Sequence, residues 1–306
     1  MTLPDDFSVT CEQFGEIRSA AHRALRDAGA TGCFPTPVDQ IMQAAKIEIV
    51  PMRLDEGYLA RLRRKAEAAG VVLLSALSKV WGVFDPKARV AFIDPKTPKE
   101  KLPFLKLHEG GHAVLPWQSI FGLFEDCRKT LDPDVKAQFE REANVFASEV
   151  LFQLDGFTAE ARDLEFGLKA PLKLAKRYGA SVYATVRRYV STSDRICAVL
   201  VFNPPAPAGP HGMASTLRRA VPSPAFERRF PGLAWPQVVT PEDKLGALIP
   251  CGRMTFPRML ALTDANAEPH PFIAESFRTP HQTFVLLHAT ATLRRRVILL
   301  SAPKAA

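Results

Sequence analysis

Apolar residues recur at three- and four-residue spacing through residues 10–29, with Phe14, Ile17, Ala21, Ala24, Leu25 and Ala28 on one face. That pattern predicts a helix ending near Gly29. Pro35 and Pro37 break the chain before PVDQIMQAAK, a short helix, and IEIVPM, a strand. VWGVFDPKARVAFID, residues 80–94, holds two runs of β-branched and aromatic residues around Asp85, Pro86 and Lys87, and predicts a hairpin. Helical spacing returns over residues 98–115, 133–154 and 171–190, the last punctuated by Gly179.

Beyond about residue 195 the texture changes. Fourteen of the 26 prolines fall between Pro204 and Pro280, which forbids long helices and predicts strands and irregular loops. ICAVLVF at 196–202, TFVLLHATA and RRRVILLSA read as strands. A domain boundary is expected near residue 195, dividing the chain into 1–195 and 196–306. RLRRKAEAAG, residues 61–70, reads as a solvated basic face without chemistry of its own.

At 306 residues, with 47% apolar and 24% charged, the chain has enough apolar material for a sizeable core, which excludes wholesale disorder. No apolar run reaches the roughly 18–20 residues of a membrane span, and the N-terminus carries no signal pattern, so a cytoplasmic location is expected. Cys11, Cys33, Cys127, Cys197 and Cys251 are odd in number and scattered. They predict buried free thiols rather than a disulfide framework or a thiolate metal site. A net charge of +8 admits nucleic acid or acidic proteins as partners without choosing between them.

One segment carries chemistry. His108, Glu109, Gly110, Gly111 and His112 form an HExxH pattern, which random order with 7 histidines would produce about 0.01 times per chain. On a helix, residues four apart stack one turn above each other, so both imidazoles reach one ion while Glu109 lies beside its open position. Leu105, His108, His112 and Leu115 share a face, with Phe104, Leu107, Gly111 and Val114 adjacent, so the motif sits on a helix apolar enough to be buried. Two histidines and a glutamate buried together need partners, and a metal ion supplies one.

A catalytic zinc site needs a third protein ligand. In VKAQFEREANVFASEVLF, with Glu142 set at zero and about 100° per residue, Val135, Phe139, Phe146 and Val150 fall between about 20° and 80°. Glu142 then lies at the edge of the apolar stripe, Glu140 at about 160° on the solvent side, and Glu149 at about −20° two turns on. Glu142 is the favoured ligand, with Glu149 a supporting group or rival and Glu140 a surface carboxylate.

HEGGHAVL followed some thirty residues later by EREANVFASEVL resembles the ImmA/IrrE family of metallopeptidases, whose signature is an HExxH helix and then a helix bearing E-x-E-A-N-x-F-A. The upstream elements and LAKRYGASVYATVRRYV fit as well, so the resemblance covers roughly residues 10–195. It implies an α+β, zincin-like, mostly helical peptidase domain with a small sheet, and a gluzincin-like zinc site with His108, His112 and Glu142 as ligands and Glu109 as general base. Manganese is an alternative ion. The family usually has HELGH, and Gly110 costs about 1 kcal/mol of helix propensity and a packing group, which predicts a looser helix. Some members carry a GAF-like sensory domain, so 196–306 is expected to be a smaller strand-containing regulatory or recognition domain. The resemblance also implies cleavage of a helix-turn-helix repressor that controls stress-response or mobile-element genes. The 80–94 hairpin could present an edge strand to such a substrate.

Two other readings stay open. LAKRYGASVYATVRRYV, with its turn at Gly179 and with Arg187 and Arg188 beyond it, has a helix-turn-helix look and would give nucleic-acid contact. The metal site could instead be non-catalytic, in a DNA-binding or metal-sensing regulator. Tyr178 and Tyr183 are assigned to helix packing, and His211, His270, His281 and His288 to surface or loop positions.

Overall fold

Helix α1 (Cys11–Asp27) opens on a capping box. Thr10 Oγ1 accepts the Gln13 N–H while the Gln13 side chain accepts the Thr10 N–H, satisfying two donors that a helix start leaves without intrahelical acceptors. Its apolar face buries Ile17, Ala20, Ala21 and Leu25. Helix α2 (Val38–Ala44) and strand β1 (Glu48–Pro51) follow as the pattern predicts. The protein is described by a computed structural model over residues 8–52, 82–118, 133–208, 212–249, 253–264 and 268–289. The basic run at 61–70, RRRVILLSA, Cys127, Cys251 and His211 lie outside the described residues.

The predicted hairpin is present as β2 (Gly82–Asp85) and β3 (Val90–Ile93), antiparallel, with Asp85 Oδ1 accepting the N–H groups of Lys87 and Ala88 in the turn. Strand β1 pairs in parallel with β3, giving the order β1-β3-β2 and leaving β2 at one edge among the described residues. Helix α3 (Leu102–Val114) packs on β2 and β3 from one side and on α4 (Pro133–Leu151) from the other, and α4 also receives α1. The end of α4 is tied down by Gln153, whose Nε2 donates to Cys33 O at 2.8 Å and whose Oε1 accepts the Gly32 N–H at 2.7 Å.

The predicted helix over 171–190 is two helices, α6 (Lys169–Tyr178) and α7 (Val182–Ser191), separated at Gly179, whose φ is 68°. The short helix α5 (Gly156–Arg162) precedes them. Tyr178 is buried among Phe34, Phe152 and Phe157, in line with a packing role. Arg187 and Arg188 on α7 are partly buried.

The chain divides into two units, one spanning 1–164 and 172–185, the other 165–171 and 186–306. The second is built on an antiparallel sheet from β4 (Cys197–Phe202), β5 (Ala206–Pro207), β6 (Met213–Pro222), β7 (Val238–Val239), β8 (Arg258–Thr263), β9 (Pro269–Arg278) and β10 (Thr283–Ala289). Their order is β5-β6-β4-β10-β9-β8, with β7 added on β6. Strand β4 is buried along its whole length, which accounts for the unbroken apolar run ICAVLVF. One face packs Ala198, Leu200, Phe202, Phe272, Val285 and Leu287 against Phe226 of helix α8 (Pro224–Arg229) and against Val239, Leu245 and Leu248. The fold is therefore α+β in two parts, as the sequence pattern predicts.

Three expectations need correction here. Cys11 and Cys33 are exposed, and of the described cysteines only Cys197 is buried, its thiol pushed up to about 11 by burial. His270 and His288 lie on strands β9 and β10 rather than in loops. His270 is partnered, its Nε2 standing 2.8 Å from Asp264 Oδ2.

Glu275 on β9 is buried and accepts the Leu168 N–H at 2.9 Å. Burial raises its pKa above the ordinary carboxyl value, against the lowering effects of that hydrogen bond and of Lys169, while nearby Glu165 raises it further. A carboxyl that binds its proton more tightly when folded stabilises the protein below its unfolded pKa, and that contribution is lost as pH rises through the folded value. Relative to Glu275→Gln, which can still accept from Leu168, the wild type should gain melting temperature as pH falls from neutral through this window. Parallel melting curves from pH 4 to 8 would contradict it.

Candidate metal centre

The two helices that form the centre approach closely because their contact is made of small residues. A Cβ on Gly111 would stand 3.1 Å from Ala143 Cα and 3.3 Å from the Phe146 ring, so any larger residue at 111 would push α3 and α4 apart. At Gly110 the space that a large side chain would take is filled by Met42 of α2, whose sulfur would lie 2.9 Å from an added Cβ. The glycine is buried and packed, so the motif helix is not looser at this position.

Along this seam His108 and His112 stand one turn apart with rings nearly perpendicular, centroids 5.0 Å apart and interplanar angle 87°. Their Nε2 atoms are 3.4 Å from each other. Glu140 of α4 completes the group, with Oε2 at 3.2 Å from His108 Nε2 and Oε1 at 3.8 Å from His112 Nε2. Ligand atoms of His108, His112 and Glu140 all lie within 4.8 Å of one another. Behind the rings, His108 Nδ1 meets Asn144 Oδ1 at 3.0 Å and His112 Nδ1 meets Gln118 Oε1 at 2.7 Å.

Glu142 does not join this group. Its Oε1 accepts from Gln13 at 3.4 Å and Gln138 at 2.9 Å, and its Oε2 accepts from Trp117 and Gln118, both at 2.7 Å. A carboxylate has about four acceptor sites, and these four donors occupy them. The carboxylate beside the two rings is thus Glu140 and not Glu142, the residue the sequence favoured as third ligand. The reason lies in where α3 touches α4. Gly111 meets Ala143, at about 100° on the wheel, so Glu140 and Asn144 flank the contact on the histidine side while Glu142 and Gln138 flank it on the other. Alanines 143 and 147 add little to hydropathy, and a wheel centred on the bulky residues points the wrong way. Glu149, the rival ligand, is buried against α1 with Oε2 at 3.5 Å from Arg18 Nε.

Glu109 is buried at 5% exposure beside β2. A Cβ at Gly82 would come within 2.7 Å of Glu109 Oε1, so the absence of a side chain on that strand makes room for the carboxylate.

The donor set can be tested for a cation. Two nitrogen ligands at about 2.0–2.1 Å from a tetrahedral zinc are separated by about 3.4 Å, and the two Nε2 atoms show that spacing. The surroundings are electronegative: burial opposes protonation of His108, but Glu140 and Glu109, with the bond from Asn144, outweigh it and hold its pKa above the ordinary imidazole value. A proton and a metal ion are alternative ways to neutralise this cluster. Two imidazoles and one carboxylate are a zinc-type donor set, and the residues present fit such an ion. Asp264, Glu268 and His270 form a second group of ligand-capable atoms among the described residues, mostly on a loop.

Residues 43–189 match the Peptidase_M78 family, described as the IrrE N-terminal-like domain. That span belongs to the family. The matched span contains α3, α4 and every residue of the histidine cluster, and the match supports a metallopeptidase-type function. Helix α1, which contributes Gln13 and Arg18, precedes the matched span. No curated protein matches the sequence. Among solved structures, a chain titled "Mycobacterium tuberculosis transcriptional regulator" shares the fold at 13% identity and a TM-score of 0.51, covering 90% of this chain and 77% of that one. No described helix is long and apolar enough to cross a membrane.

Asn144 and Gln118, which meet the two histidines, were not singled out in the sequence, and Glu140 was read there as a surface carboxylate. Glu140 and Asn144 have a signal, an i,i+4 pair on one helix mirroring the i,i+4 pair of histidines on the other. Gln118 follows Pro116, beyond the periodic run, and has none.

Proposed function

We propose that this protein is a zinc-dependent endopeptidase in which His108, His112 and Glu140 hold the ion and Glu109 is the general base. The observation that carries the reading is the convergence of His108 Nε2, His112 Nε2 and a Glu140 oxygen from two helices on one point, with Glu109 on the same motif helix. The ion, when bound, lowers the pKa of a water and polarises the scissile carbonyl. Glu109 takes the water's proton and delivers it to the leaving amine, and its burial keeps bulk water from competing for that role. Strand β2 has only β3 beside it among the described residues, so an extended peptide added to its other edge would run past Gly82 and the Glu109 carboxylate.

The substrate class is a protein, and within it we propose a helix-turn-helix repressor, with residues 196–306, which fall within the second unit, as the regulatory or recognition module. Support comes from the family relation and from the fold shared with a chain titled a transcriptional regulator. Purified wild type should contain zinc in stoichiometric amount and His112→Ala essentially none, by elemental analysis. A metal-free wild type after zinc supplementation would overturn the reading, and manganese retained in zinc's place would change the ion alone.

A further inference from the structure

We propose that Gln118 is a positioning residue that fixes His112 as the Nδ1–H tautomer and so presents its bare Nε2 to the ion. Glu142 in turn fixes Gln118. The inference rests on the metal-binding reading above and extends it to residues that touch neither ion nor substrate.

The argument is one of donors and acceptors. Gln118 Nε2 has two hydrogens, and both are used: one goes to Phe139 O at 3.1 Å, the other to Glu142 Oε2 at 2.7 Å. Both acceptors are fixed, a helix carbonyl and a carboxylate, so the amide cannot turn over without setting its oxygen against two other oxygens. Gln118 Oε1 therefore faces His112 Nδ1, 2.7 Å away, as an obligatory acceptor. The ring must donate from Nδ1, which leaves Nε2 as a lone pair on the side of His108 and Glu140. Gln118 is buried, so water cannot substitute for it as acceptor.

Glu142 gives this arrangement its stiffness. Besides Gln118 it accepts from Trp117, Gln138 and Gln13, so α1, α4 and the segment after α3 all meet on one carboxylate. A buried anion with four donors is satisfied without an ion of its own, and it holds Gln118 against rotation. Outer hydrogen-bond partners of this kind are worth about 10- to 100-fold in metal affinity.

The test uses the full chain, with histidine labelled with 15N and metal stripped by chelator, at alkaline pH. Long-range 1H–15N spectra of metal-free wild type should show His112 protonated at Nδ1 and bare at Nε2. In Gln118→Leu that signature should shift toward the Nε2–H form, and competition with a zinc chelator should give affinity about 10- to 100-fold weaker than wild type. Glu142→Gln, which removes the anchor but not the acceptor, should weaken zinc binding by less and broaden or mix the tautomer signals. Circular dichroism checks folding, and if Gln118→Leu does not fold, Glu142→Gln decides on the same two readouts. An unchanged His112 tautomer, or zinc affinity within twofold of wild type in a folded variant, would overturn the proposal. Failure of wild type itself to bind zinc would defeat the metal reading, while the metal-free tautomer would still decide the positioning.

Discussion

Glu109→Gln should purify folded, keep its zinc, and cleave its protein substrate at least 10²-fold more slowly than wild type, the lower end of about 10²–10⁴ for a positioned general base. The substitution is nearly isosteric, so the cavity beside Gly82 stays filled and the three ligands stay where they are. What it removes, on the proposed mechanism, is the group that would take a proton from water and return it to the leaving amine. Because the loss falls on a step made only in the transition state, it should appear in kcat rather than KM. Zinc content measured beside single-turnover cleavage separates two readings of the centre. Turnover unchanged in Glu109→Gln would mean that the ion serves structure or sensing, and the peptidase assignment would fail.

Glu140→Gln should release the ion, whereas Glu142→Gln should retain it with weakened affinity. Glu140 supplies the only negative charge among the three proposed ligands, and its loss would leave two neutral imidazoles to hold a divalent ion. The expected drop exceeds the roughly 10- to 100-fold that loss of a supporting hydrogen-bond partner costs, whereas Glu142→Gln, which keeps the Gln118 acceptor, should cost less than loss of Gln118 itself. Chelator competition on the two variants side by side makes the comparison independent of substrate. If the order were reversed, with Glu142→Gln empty and Glu140→Gln loaded, the centre described here would be wrong. Glu140 is half exposed, so its substitution should disturb packing little, while Glu142 is buried and carries the larger risk to stability.

The legible parts of this protein are those whose signal lies within one segment. Helix α1 announces itself by a three- and four-residue apolar rhythm, the hairpin by β-branched and aromatic runs around an Asp-Pro turn, and β4 by an unbroken apolar run. The placement of the two histidines was equally plain, since i,i+4 spacing on one helix is enough to bring two rings together on one face. Their pairing with the downstream E-x-E-A-N helix was readable as a family resemblance, and the matched span bears that relation out.

The order of residues along the chain thus determined the elements, the motif helix and the family. Only the tertiary structure decided which carboxylate faces the rings. Glu140 and Glu142 differ by two residues and lie on opposite sides of the α3–α4 contact, and that contact is set by Gly111 against Ala143, a close approach of small residues that hydropathy hardly registers. The same holds for Gln118, whose place beside His112 depends on a carboxylate 24 positions away. Periodicity reports which face of a helix is buried, but the neighbour it is buried against is a long-range choice, and which carboxylate meets the histidines depends on that choice.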